Sequence, residues 1–149
     1  MNAAQRVFFF LVMTLVLVTA ASHASAASIQ SEVLYYVNVE RVNAGLQPVV
    51  FDQGLNHGAA VRAKEIQVSF AHQRPDGRDV KSVMEESCGW FGENLAVSPA
   101  NDAKRIVKAW MGSPTHRANI LNRHYVRMGI ECERGADGYY YWSLLFAGA

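Results

Sequence analysis

The stretch VRMGIECE, Val126 to Glu133, decides the fold class because apolar and polar residues alternate along it. This period of two predicts a β-strand with one buried and one polar face. The residues from Gly135 to Gly138 are typical of a hairpin loop, and the run from Tyr139 to Phe146 is predicted to be the returning strand. Because an isolated hairpin is not stable, we expect other elements to cover it.

The chain that precedes the hairpin has helical spacing. One helix is predicted to end at Gly45 and a second to begin after an Asp52 cap, with an extended link from Leu46 to Phe51 between them. A third helix is predicted to begin at an Asn101 cap and to run through Trp110. Helices first and strands last, with no βαβ alternation, predict an α+β fold with helices covering an antiparallel sheet.

The first 26 residues have the pattern of a secretory signal peptide. An apolar run from Val7 to Val18 follows a single charge at Arg6 and leads to Ala24-Ser25-Ala26. The run is short for a bilayer span, which makes a retained membrane anchor the weaker alternative. We therefore expect a secreted, monomeric protein with one domain over residues 27–149 and no transmembrane anchor after cleavage.

Charge and cysteine content narrow the class of protein further. The full chain carries a formal charge of +1, and removal of Arg6 with the leader leaves zero, which argues against binding to nucleic acid. The two cysteines, Cys88 and Cys132, enter an oxidising compartment, so we expect one disulfide between them. Two separate thiols, with Cys132 packed in its strand, are the alternative.

The stretch AWMGSPTHRANIL, Ala109 to Leu121, predicts a helical elbow with polar side chains. Gly112 ends one helix, while Ser113 followed by Pro114 is typical of an N-cap and the first position of the next. His116 then falls in the first turn of that short helix. A Ser113 nucleophile with His116 as its base is disfavoured, since capping explains the serine and no G-x-S-x-G elbow is present.

Three titratable residues are candidates for a site: His72, Glu93 and His116. Their separations exclude a local metal motif such as H-E-x-x-H, and each could instead make only structural hydrogen bonds. Asn38 and Arg41, one helical turn apart, are candidates for structural polar work because the pair can satisfy loop carbonyls from one helix face.

Several motifs in a fixed order resemble the CAP superfamily of cysteine-rich secretory proteins, antigen five and plant pathogenesis-related proteins. The chain is most similar to the compact bacterial SCP-like branch, and the resemblance covers essentially all of residues 27–149. The motifs are Asn38-Val39-Glu40-Arg41, Gly45-Leu46, Arg62 to Ile66, Phe70-Ala71-His72, Arg74 to Gly77, Gly92 to Ala96 and Trp110 to Leu121.

The resemblance implies a three-layer α-β-α sandwich around an antiparallel sheet, with a central cavity lined by two histidines and two acids. The matching residues here are His72, Glu93 and His116. The second acid of the family's Trp-x-x-Glu motif is replaced by Ser113. That replacement removes a negative charge and a candidate general base, although two imidazoles and one carboxylate can still hold zinc with an open water position.

These observations lead to one favoured function and two alternatives. We expect a secreted, non-enzymatic protein that binds a small ligand, lipid or peptide in a cleft of His72, Glu93, Ser113 and His116. The first alternative is a hydrolase dependent on zinc or another divalent cation, with His72 and His116 as ligands and Glu93 as third ligand or base. The second alternative is a purely structural role for this polar cluster.

Overall fold

The computed structural model describes residues 28–149, and the expected signal peptide lies outside the described residues. Four helices and four strands follow one another along this part of the chain, with a short 3₁₀ turn at Val80–Val83. The helices are α1 (Ile29–Asn43), α2 (Gln53–Val68), α3 (Ala103–Gly112) and α4 (Pro114–Ile120). The strands are β1 (Val50–Phe51), β2 (Trp90–Ser98), β3 (Arg127–Arg134) and β4 (Tyr140–Gly148).

The four strands form one sheet in the order β1-β3-β4-β2. β4 pairs antiparallel with both β2 and β3, as the alternating pattern predicted. β1 lies parallel to β3, so the sheet is mixed, and the expectation of a purely antiparallel sheet is corrected at this edge. The link from Leu46 to Phe51 leads directly to β3. The Val50 amide donates to the carbonyl of Val126, just before β3, and the Asp52 amide donates to the carbonyl of Met128.

Helices cover both faces of the sheet, which confirms the three-layer α-β-α sandwich. Apolar residues of β3 and β4 alternate between a layer formed by α1, α3 and α4 and a layer formed by α2. A Cβ at Gly129 would collide with the backbone of Leu55 and Asn56, so α2 lies directly on the backbone of β3. Side chains facing the larger core include Met128, Ile130, Trp142, Leu144 and Phe146.

The helix boundaries agree with most of the predicted capping residues. The Asp52 side chain accepts from the Leu55 amide at 2.8 Å, which confirms the start of α2. α3 begins one residue later than predicted, because Asp102, not Asn101, accepts from the Arg105 amide at 2.9 Å. Ser113 occupies the N-cap position of α4, but its side chain makes no capping hydrogen bond, so that part of the prediction is wrong.

The two cysteines are free in the structure, which corrects the predicted disulfide. Cys132 packs against the core between the sheet and the α1–α3 layer, whereas Cys88 packs against the cluster beneath α2. The sheet therefore lies between the two thiols, and a disulfide needs Cα atoms within about 7 Å of each other.

None of the helices described in residues 28–149 is long and apolar enough to cross a membrane.

Candidate functional site

The candidate residues meet at β2, the strand that forms one edge of the sheet. The outward carbonyl oxygens of this strand are covered by side chains: Tyr125 Oη donates to Phe91, Asn119 Nδ2 to Glu93 and Trp110 Nε1 to Leu95, at 2.9 to 3.1 Å. These donors satisfy an edge that would otherwise be open to strand addition. Residues from both helical layers can therefore reach the same strand edge beside Glu93.

A chain of alternating charges runs from the loop after α2 to this edge. Arg74 Nε and Arg62 Nη1 donate to the Glu65 carboxylate at 2.9 and 2.8 Å, and Arg62 Nε donates to Glu93 Oε1 at 2.7 Å. The chain ends at His72, whose Nδ1 lies 2.8 Å from Glu93 Oε2. Arg74, Glu65, Arg62, Glu93 and His72 thus form one connected network between α2, its following loop and β2.

The charges in this network stabilise one another inside the protein. Burial alone would lower the pKa of the Arg62 guanidinium, but hydrogen bonds to Glu93 and Glu65 outweigh it, and the pKa is raised. Burial alone would raise the pKa of the Glu65 carboxyl, but Arg74 and Arg62 together hold that pKa below its ordinary value. Both groups therefore stay ionised at neutral pH.

Glu93 and His72 have opposite exposures. The Glu93 side chain is 2% exposed, and both of its oxygens are engaged, one by Arg62 and one by His72. The His72 side chain is 66% exposed. Because Nδ1 faces the Glu93 carboxylate, the other ring nitrogen of His72, Nε2, is the one left without a protein partner among residues 28–149.

His116 approaches from the opposite helical layer. It lies on α4, and its backbone carbonyl accepts from Asn94 Nδ2 at 3.0 Å, while Asn119 Nδ2 donates to Asn94 Oδ1 at 2.9 Å. These amides fasten α4 to β2. Burial lowers the pKa of the His116 imidazole, and the charge of the nearby His72 lowers it further, so the ring is neutral at neutral pH.

The structure gives no hydrogen-bonded role to the side chain of Ser113. It is half-buried at the start of α4, three residues before His116, and its side chain makes no hydrogen bond with any residue of 28–149. The hollow that His72 lines, about 450 Å³ in volume, is bounded by Gln73, Gly77, Asp79 and Val80, which belong to its own loop and the 3₁₀ turn. This hollow does not include His116.

The donor set restricts what the site can hold. Within residues 28–149, no group of three or more His, Cys, Asp or Glu side chains is arranged to hold a metal ion. Glu93 is committed to Arg62 and His72, so the geometry offers two imidazoles but no third protein ligand. A three-ligand zinc centre of His72, His116 and Glu93 does not fit this arrangement.

The two structural candidates lie away from this edge, on α1. Arg41 is fully buried and donates to four backbone carbonyls at 2.8 to 3.0 Å: those of Gln47, Ile120, Asn122 and Tyr125. It therefore ties the loop after α1 to the segment that follows α4.

Asn38 lies one turn earlier on α1. Its Nδ2 donates to the Val49 carbonyl at 2.9 Å, and its Oδ1 accepts from the Val49 amide at 2.8 Å. The side chain thus pairs with the link that leads into β1.

The sequence interpretation did not assign site roles to Arg62, Glu65, Arg74, Asn94 and Asn119. The spacing of Arg62 did indicate that it is buried. It follows Ala59 by three residues and precedes Ile66 by four, which places it on the apolar face of α2. A charged residue on a buried helix face requires a partner. Nothing in the local spacing indicated Glu93 as that partner, because the two are 31 residues apart.

Comparison with known proteins agrees with this architecture. The profile of the cysteine-rich secretory protein family, CAP, matches residues 34–146. The chain is 30% identical over 117 residues to YkwD of Bacillus subtilis strain 168, an alignment that covers 75% of this chain and 45% of YkwD. The membrane protein YlbC of the same organism is 29% identical, with 32% of its length covered. The chain thus spans less than half the length of these curated relatives.

Solved structures share the fold. An extracellular SCP-domain protein from Bacillus anthracis superposes with a TM-score of 0.73 at 19% identity, covering 81% of this chain and 40% of that one. The protein NaASP2, solved with Zn²⁺, has a TM-score of 0.61 at 15% identity and covers 83% of this chain and 82% of its own. With the family profile matching most of the chain, the protein belongs to the CAP family of cysteine-rich secretory proteins.

Proposed function

We propose that this protein is a secreted, non-enzymatic CAP domain that binds a ligand between His72 and His116. One observation carries the proposal: both oxygens of Glu93 are occupied, by Arg62 and by His72. Glu93 therefore orients His72 and is not itself free to contact a ligand.

The same observation argues against hydrolysis at this site. A general base must have a free electron pair within reach of the proton that it removes. The Glu93 carboxylate is 2% exposed and lies between Arg62 and His72, which keeps it out of reach of a bound ligand, and Ser113 stands where the second acid of the family pattern would be. The structure thus supports binding more strongly than turnover.

The exposed groups define the ligand chemistry. The neutral His116 ring presents an electron pair and the exposed His72 ring presents Nε2, so a ligand with hydroxyl or amide groups would be held by hydrogen bonds. Val68 and Phe70, just before His72, are exposed apolar side chains that can contact an apolar part of the same ligand. A short peptide has both features, and it is the class that we favour among small ligands, lipids and peptides.

A test is available from imidazole NMR signals. Protein starting at Ala27, labelled at histidine, would be titrated with a library of short peptides, with decanoate as the lipid probe. We expect a peptide pool to shift the His72 and His116 signals, and binding to be lost in His72→Ala and in His116→Ala. His57→Ala, at an exposed position on α2, is the matched control and should bind normally.

Two results would overturn the proposal. Titrations that leave both imidazoles unchanged would remove the binding site from this cleft. Steady formation of peptide cleavage products, lost in Glu93→Gln, would show catalysis in place of binding.

A second candidate is binding of a divalent cation by the two imidazoles. The observation that favours it is the carboxylate at His72 Nδ1, because metal-binding histidines usually donate their other ring N–H to such a group. NaASP2, which shares the fold, was solved with Zn²⁺. In this arrangement His72 and His116 would be the protein ligands and Glu93 would orient His72.

Calorimetric titration with zinc separates the two candidates. Cation binding predicts one site that disappears in His72→Ala and in His116→Ala. No heat at millimolar zinc would eliminate the cation site and leave the peptide proposal unaffected.

A further inference from the structure

Basic residues are concentrated in the segment of the chain that contains α3 and α4. From Ala103 to Ile130 the chain has six Lys or Arg residues and no Asp or Glu. Thirteen acidic and seven basic residues lie elsewhere in residues 27–149. The formal net charge is therefore +6 for this segment and −6 for the rest of residues 27–149. Zero net charge therefore conceals a strongly asymmetric distribution.

Most of these cations have no side-chain partner in the part of the chain that the structure describes. Arg127 pairs with Asp52. The other five are exposed, and their side chains make no salt bridge or hydrogen bond with any residue of 28–149. They are Lys104, Arg105 and Lys108 on α3, Arg117 on α4, and Arg123 in the following loop. We refer to these five residues, which lie on the contacting helices α3 and α4 and the loop after them, as the basic face.

An apolar groove adjoins the basic face where α1 packs against α3. Its volume is about 350 Å³, and Lys104 and Lys108 border walls formed mainly by Tyr35, Tyr36, Val39 and Val107. Tyr35 is 63% exposed although it is a large aromatic side chain. Glu40 also lines the groove but forms no salt bridge with either lysine, so both ammonium groups remain available.

We propose that the basic face docks onto an anionic lipid bilayer. Lipid phosphates would attract the five cations, since each basic residue near an anionic leaflet contributes about 1 kcal/mol. Tyrosine prefers the interfacial region of a bilayer, where its ring is apolar and its hydroxyl is hydrated. The exposed Tyr35, beside two lysines and the aliphatic walls of the groove, therefore fits a lipid surface.

The experiment measures binding to vesicles. Protein starting at Ala27, which carries every described helix and strand, would be sedimented with vesicles of phosphatidylglycerol and phosphatidylcholine in a ratio of 3:7. We expect binding at low salt, loss of binding at 0.5 M NaCl, and no binding to pure phosphatidylcholine. Lys104→Gln/Lys108→Gln should bind about thirty-fold more weakly, because each lost cation is worth about five-fold.

Two controls separate a docking face from general charge attraction. Lys64→Gln/Lys81→Gln removes the same charge from exposed positions on α2 and the 3₁₀ turn, and it should bind as the parent does. Tyr35→Ser keeps every cation and should still weaken vesicle binding several-fold. Circular dichroism and the melting temperature of each variant would verify that it is folded.

Three results would contradict docking of the basic face onto a bilayer. Equal losses in the two double variants would show attraction to net charge and overturn the proposal. Binding to a polyphosphate chain as tight as to vesicles, with Tyr35→Ser unchanged, would assign the face to a soluble polyanion and also overturn it. Absence of vesicle binding by the folded parent would do the same.

Discussion

Two fully buried arginines on opposite sides of the sheet have contrasting surroundings. Arg41 donates only to backbone carbonyls, and burial lowers its pKa. Arg62 is held by the Glu93 and Glu65 carboxylates, which raise its pKa against the effect of burial. Arg41 therefore serves the fold by joining loops, whereas Arg62 fixes the carboxylate that positions His72. Burial alone does not distinguish a structural cation from one that supports a site; the identity of its acceptors does.

The largest effect is expected from Arg41→Met. It leaves four carbonyls without their donor, at about 1 kcal/mol each, so the free energy of unfolding should fall by about 4 kcal/mol. Urea denaturation measures this loss. Since the acceptors are backbone atoms, no second side-chain substitution should restore stability, and a loss below about 1 kcal/mol would contradict a structural role.

A somewhat smaller loss, of about 3 kcal/mol, is expected from Arg62→Met because Glu93 then stays buried without its cation. Here a second substitution should help: adding Glu93→Leu removes the stranded charge and should recover at least half of the loss. The neighbouring exposed Lys64→Met is the matched control. Additive effects of the two substitutions in a double-mutant cycle would refute the coupling.

Glu65→Gln should cost about 1 kcal/mol at pH 7, since Glu65 is only partly buried between its two arginines. Its pKa is lowered in the folded state, so its contribution is present above the ordinary glutamate pKa and is lost as the pH falls. The variant should therefore lose less stability than the parent on acidification from pH 6 to pH 3. Glu32 on α1 forms no salt bridge with any residue of 28–149, so Glu32→Gln should follow the parent's curve. A Glu65→Gln curve parallel to the parent's would count against the network.

The smallest expected effect is that of a reducing agent, which should leave the melting temperature unchanged. Cys88 and Cys132 lie on opposite sides of the sheet, Cys132 on the side of Arg41 and Cys88 on the side of Arg62. Burial, with Glu131 and Glu133 nearby, raises the pKa of the Cys132 thiol to about 12, so this thiol should not react in the folded protein at pH 8. Denatured, unreduced protein should show two reactive thiols per chain. A result of no reactive thiols would instead support a disulfide between Cys88 and Cys132.

Local patterns predicted most of the secondary structure because their causes are local. Alternation from Val126 to Glu133 gave β3, and Asp52 marked the start of α2. The α3 cap was misplaced by one residue because Asn101 and Asp102 both have capping side chains. The parallel pairing of β1 was missed, since a two-residue strand has no period and its partner lies more than seventy residues away.

The sequence supplied candidate residues for a site but not their contacts. His72, Glu93 and His116 came from a resemblance in motifs, and the structure brings His72 against Glu93 and His116 near His72. The commitment of Glu93 to Arg62 required knowing that α2 packs on β3 and β4 and that the Arg62 side chain reaches β2 from there. Partner choice among buried charges depends on distances of a few ångströms, which spacing along the chain does not specify.

By itself, the sequence determined the α+β class, the position of most helices and strands, and the residue types available for a site, because these follow from periodicity and capping within a few residues. Only the tertiary structure decided that the cysteines stay apart, that Glu93 is occupied, and that Lys104 and Lys108 border an apolar groove. These properties arise from how the helical layers pack on the sheet. Packing brings together residues that no local pattern connects.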